Sequence, residues 1–101
     1  MVHESAEKIM VRKRHLGDFL RKCRDFQGMT QRYVADQLGY STPQFISNWE
    51  RGLASPPPEV LPAIIKIYDI PPLKLVDAIH EYREAWLQCQ KRNLLQLVNA
   101  R

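Results

Sequence analysis

The chain has 101 residues, with 15 Lys and Arg against 11 Asp and Glu, a formal charge of +4, and two cysteines. That length supplies one domain with a single core, and two isolated cysteines exclude a disulfide framework or a CxxC redox site. No apolar run approaches the roughly 20 residues of a membrane span, and the N-terminal stretch MVHESAEKIMVRKRH lacks the apolar segment of a signal peptide, so no membrane association and a cytoplasmic location are expected.

Residues 1–40 hold eight basic and five acidic groups, and residues 41–101 hold seven and six. The positive surplus therefore lies mainly in the first half and suits a polyanionic partner. Residues 1–11 read as an arm or frayed lead, with Ser5 able to cap a turn and Ile9 and Met10 as its apolar anchors. Over residues 12–26 the apolar Leu16, Phe19, Leu20, Cys23 and Phe26 recur at helical spacing, and Gln27-Gly28 ends that pattern.

Thr30 is the expected cap of a second helix whose inner side draws on Tyr33, Val34, Ala35 and Leu38. Gly39-Tyr40-Ser41 forms a turn. Thr42-Pro43 then restarts a helix, a hydroxyl acceptor followed by a residue whose missing N–H is no loss at a helix start. Phe45, Ile46 and Trp49 supply the buried stripe of this third helix, and Arg51-Gly52 closes it.

The three prolines at 56–58 belong to an extended linker over residues 54–58. Pro62 reads as the first position of a short fourth helix, with Ile64, Ile65 and Tyr68 inside. Ile70-Pro71-Pro72 breaks again, and residues 73–98, free of Pro and Gly, form a long fifth helix. Strand alternation and repeats are missing from the pattern, so the fold class is all-α.

The third helix carries the chemistry. Ile46 and Trp49, three apart, face the core, so Gln44, Ser47, Asn48 and Arg51 project away from it. Gln and Asn side chains bond adenine N6 and N7 bidentately, and Arg bonds guanine O6 and N7 or a phosphate. An isolated polar helix face is ordinarily just solvated. Here it follows a tight turn in a basic protein, which favours DNA. Phe45 sits at the edge of this face, where packing against Trp49 is favoured over contact with a thymine methyl. The cluster Arg12-Lys13-Arg14-His15 reads as a solvated helix start in preference to a phosphate contact.

The segments LGDFLRKCR at 16–24, GMTQRYVADQLG at 28–39, FISNWERG at 45–52 and LPAIIKIYDI at 61–70 together resemble the Cro/CI-type, or XRE-like, helix-turn-helix family over residues 12–79. The resemblance implies a five-helix repressor-like domain spanning residues 12–80, extended by a C-terminal helix over residues 81–101. It implies that Gln31 begins the motif and bonds a phosphate, with Arg32 and Ser41 beside it at the backbone. Gln44 and Asn48 would read bases, accompanied by Thr42, Ser47 and Arg51. Ala35 would allow close crossing of the two helices, Ile46 would anchor the recognition helix, and Arg24 would pair with Glu50. Ala35 and Ile46 lie eleven positions apart where the family has ten, so one extra residue falls within positions 40–43.

In the last helix Ile79, Tyr82, Trp86 and Cys89 recur at steps of three and four, and Leu94, Leu95, Leu97 and Val98 add a second cluster. This apolar surplus either folds back on the N-terminal arm or pairs two subunits. Pairing is favoured, through Tyr82, Trp86, Leu94, Leu97 and Val98, because helix-turn-helix readers commonly span two half-sites. The expected function is a homodimeric repressor of transcription on a palindromic double-stranded DNA operator. The alternative is an antitoxin-like or adaptor protein whose last helix holds a protein partner. His3, His15 and His80 lack metal-ligand spacing, and neither a nucleophile elbow nor a Gly-rich phosphate loop is present. No metal, cofactor or enzymatic activity is expected.

Overall fold

A computed structural model describes residues 4–99. Five α-helices follow one another: α1 (Ala6–Phe26), α2 (Gln31–Gln37), α3 (Gln44–Glu50), α4 (Leu61–Tyr68) and α5 (Pro72–Asn99), with one 3-10 turn at Pro58–Val60. No strand occurs among the described residues.

The first helix begins earlier than its apolar periodicity indicates. Ser5 caps it, its hydroxyl accepting from the Lys8 N–H at 3.2 Å, and the helix runs unbroken through residues 11 and 12. Residues 6–11 are thus part of α1 and not a separate arm. Ile9 anchors them, buried at 4% exposure, while Met10 stays open to solvent. The first half of α1 lies along α5, held by Arg12 against Glu84 at 3.6 Å and by His15 Nδ1 against Glu81 at 2.6 Å. Arg12 also pairs with Glu4 on its own side. Two members of the basic cluster at 12–15 therefore clamp the first helix to the last.

One core joins the helices: Leu16 and Leu20 of α1, Val34 and Ala35 of α2, Ile46 and Trp49 of α3, Ile64 and Tyr68 of α4, and Leu75, Ala78, Ile79 and Tyr82 of α5. Three apolar residues assigned to that core from their spacing lie outside it. Phe26 is 88% exposed in the last turn of α1, and Tyr33 and Phe45 are about half exposed. Each flanks its helix's buried stripe, where periodicity alone does not separate edge from interior.

Pro58 opens the 3-10 turn and so does not belong to the extended segment. Pro62 sits in the first turn of α4, and Pro72 starts α5. In the left-handed position between α4 and α5 stands Asp69, a residue that tolerates positive φ with its short polar side chain.

Candidate nucleic-acid interface

α2 and α3 form a helix-turn-helix. Thr30 caps α2, its Oγ1 accepting from the Tyr33 N–H at 3.0 Å. α2 ends in a paired reverse bond, with Tyr40 N–H donating to the Ala35 carbonyl and Gly39 N–H to that of Asp36. α3 closes the same way, Leu53 N–H reaching the Asn48 carbonyl and Gly52 N–H that of Trp49. Both endings require positive φ, supplied by Gly39 at 80° and Gly52 at 76°.

The turn between α2 and α3 includes positions 40–43, where the resemblance places one extra residue. Thr42 Oγ1 accepts from the Gln44 N–H at 3.3 Å, and Pro43 stands at the cap with φ −77° and ψ 6°. The helix proper therefore starts at Gln44, one residue later than the sequence pattern suggests.

α3 is fixed from beneath by Ile46 at 0% and Trp49 at 2% exposure. Glu50 ends it inside the protein, its side chain 4% exposed, and meets Arg24 in a two-pronged ion pair: Nε to Oε2 at 2.7 Å and Nη2 to Oε1 at 2.9 Å. Arg24 also donates to the Met29 carbonyl at 2.8 Å, so one guanidinium ties α1, the α1–α2 turn and α3. The hydrogen bond to Glu50 raises the Arg24 pKa further. Burial pushes the Tyr68 phenol well above its ordinary range, and the Glu50 carboxylate adds to that shift. An ion pair of this kind specifies orientation more than it adds net stability.

Gly17 is a second fixing point, which the sequence reading passed over. A Cβ there would lie 2.4 Å from the Glu50 carbonyl oxygen and 2.7 Å from that of Trp49. α1 and α3 thus cross backbone to backbone. A glycine inside a strongly helical pattern was the available signal.

On the outer side of α3, Gln44 and Arg51 are exposed and Ser47 and Asn48 half-buried. Gln44 Nε2–H donates to Asn48 Oδ1 at 2.9 Å, so the two amides share one turn of the helix and orient each other. Thr42 and Ser41 are exposed in the preceding turn. Arg32 is exposed on α2, its Nη1 3.5 Å from the Ser41 carbonyl and its Nε 3.8 Å from Asp36. These groups therefore flank one surface. Gln31 is half-buried and turned partly inward, Nε2–H donating to Glu50 Oε1 at 3.1 Å. Its amide retains a second N–H for an outside acceptor.

The residues expected in dimerisation separate into two groups. Tyr82, at 5% exposure, belongs to the chain's own core. α5 packs against α1 at this level, so the Tyr82 side chain is already used within the chain. Trp86, Leu94, Leu97 and Val98 are 43%, 62%, 72% and 61% exposed. Leu87, at 60%, and Leu53, at 61%, stand with them; Leu53, Trp86 and Leu87 line a groove of about 490 Å³ beside the end of α3.

A helix-turn-helix family model matches residues 20–75, a little over half of the chain. Among solved structures, the crystal structure of the clp gene regulator ClgR from Corynebacterium glutamicum is similar at a TM-score of 0.55 and 24% identity, over 86% of this chain and 89% of that one. At that identity the likeness speaks for the fold. No curated protein matches the chain.

Proposed function

We propose, on the premise that this chain belongs to the Cro/CI-type (XRE-like) helix-turn-helix family of DNA-binding transcriptional regulators, that it is a homodimeric repressor reading a palindromic operator with α3. The family and fold are those of regulators and not of enzymes. The observation that carries the reading is the two-sided build of α3. Trp49, Ile46 and the Arg24–Glu50 pair fix its inner side, and Gln44 and Asn48 stand oriented on its outer one.

A rigid short helix of this kind enters a major groove about 12 Å wide and brings its first residues to the base edges. Gln44, Ser47, Asn48 and Arg51 then discriminate bases, with Thr42 beside them. Arg32, Ser41 and the free N–H of Gln31 contact phosphate, which sets register and carries no sequence information.

Dimerisation through α5 accounts for its second half. α5 has 28 residues and reaches about 42 Å at 1.5 Å per residue, yet its buried residues end at Ala85. Beyond it, Trp86, Leu87, Leu94, Leu97 and Val98 fall within one arc of the helix. They are 43–72% exposed, and apolar side chains gathered on one exposed helix face suit association with another chain. The same patch supports a second reading, in which a different protein occupies it and the chain serves as an antitoxin or adaptor. Sedimentation of the purified protein separates the two: a dimer by itself supports the first, a monomer the second.

Selection from a random duplex pool tests DNA reading. Enrichment of a site with two-fold symmetry is the expected result, and a pool that stays random overturns the proposal.

A further inference from the structure

α3 carries one apolar side chain outside the core. Phe45 is 53% exposed, directly after Gln44 on the helix and three residues before Asn48. Its ring rests on Tyr40, centroids 4.8 Å apart and planes tilted by 41°. Tyr40 in turn meets the buried Trp49 edge-on at 6.0 Å and 69°. The exposed ring is thus supported through Tyr40 by the core, and its other face is open. Tyr40 comes from the lengthened turn at 40–43, so that turn supplies the support.

A scattered exposed aromatic needs no explanation on an ordinary surface. This one stands at the start of the helix that carries the outward amides, on their flank, with its position held by a second ring. Once α3 occupies a major groove, that open face leaves water, and packing it against an apolar group there is favourable. The base edges there offer hydrogen-bonding groups and a single kind of apolar group, the thymine C5-methyl.

We propose that Phe45, backed by Tyr40, is a specificity-determining residue that packs against a thymine C5-methyl next to the base pair read by Gln44. This rests on the groove-binding reading above and adds to it one chemical feature of the site. Hydrogen bonding through Gln44 and methyl contact through Phe45 then read neighbouring positions by different means.

Uracil tests it, because it keeps thymine's hydrogen-bonding edge and lacks only the methyl. Each thymine of the selected duplex is replaced in turn by deoxyuridine, and the affinity of the wild-type protein is measured by fluorescence anisotropy. At least one replacement should weaken binding about fourfold, since a buried methyl-sized group contributes about 0.8 kcal/mol and 1.4 kcal/mol is a factor of ten. Phe45→Ala, checked for folding by its thermal melt, should bind the thymine and uracil forms of that site equally. Phe45→Leu should retain part of the difference.

Wild-type protein that binds every uracil duplex as tightly as the parent overturns the proposal without recourse to any variant. So does a uracil penalty that persists undiminished in folded Phe45→Ala. A protein that prefers no duplex over random DNA overturns the groove-binding reading itself, which is distinct from one that prefers its site and ignores the methyls.

Discussion

Replacing Gly17 by alanine sets two effects of opposite sign against each other. Alanine in a helix interior is favoured over glycine by about 1 kcal/mol, so on an open face of α1 the change would stabilise. At this position the new Cβ would fall 2.4 Å from the Glu50 carbonyl oxygen, where ordinary contact begins near 3.4 Å. The atoms it meets are backbone, so no side chain can swing aside, and α3 has to retreat by about 1 Å. Overpacking of this kind costs about 1–3 kcal/mol, and the atom displaced belongs to the residue that pairs with Arg24. With three backbone atoms within 2.8 Å of the new Cβ the cost lies in the upper part of that range, and overpacking should win by up to about 2 kcal/mol. Urea denaturation followed by circular dichroism reads this as a lower midpoint at unchanged slope. A Gly17→Ala protein as stable as the wild type, or more so, would refute the close crossing of α1 and α3.

Glu50→Ala leaves the Arg24 guanidinium, 11% exposed, without its carboxylate; a loss of about 3–5 kcal/mol is expected by denaturant titration, and Arg24→Met with Glu50→Met should recover much of it. The Tyr68 pKa is raised above its ordinary value of 10. The unfolded chain therefore loses that proton first as pH rises, and stability held below pH 10 should decline above it. Melting temperatures between pH 8 and about 11.5 should fall less steeply in Tyr68→Phe, and parallel profiles would contradict the assigned burial. A chain ending at residue 89 loses only exposed positions of α5 among those described. It should stay folded, melt at a lower temperature that no longer depends on protein concentration, and sediment as a monomer; a persistent dimer would place the interface elsewhere. Arg32→Ala should weaken binding evenly across sequences and lower the salt dependence by about one unit of slope.

The motif at residues 30–52 was legible because its signals are local. A cap at Thr30, glycines at 39 and 52 and an apolar pair at Ile46 and Trp49 each act within one helical turn. The Arg24–Glu50 pair, 26 positions apart, followed only from the family resemblance, and its third partner Gln31 was not anticipated. Contacts across the chain escaped the reading. His15 meets Glu81 over 66 positions, so the basic cluster looked solvated, and the first helix looked six residues shorter because Ile9 alone of residues 6–11 is buried. Tyr82 looked available for a second subunit because nothing in its spacing shows that α1 already covers that level of α5. Phe45 was expected on Trp49, yet Tyr40, from the turn before α3, meets both rings.

Affinity for a selected duplex against a random one tests most directly whether the outward side of α3 reads base edges. Gln44→Ala and Asn48→Ala should each lose about 1–3 kcal/mol, roughly 5- to 150-fold, on the selected duplex and leave random-duplex binding unchanged. Equal losses on both duplexes, or none on either, would contradict it.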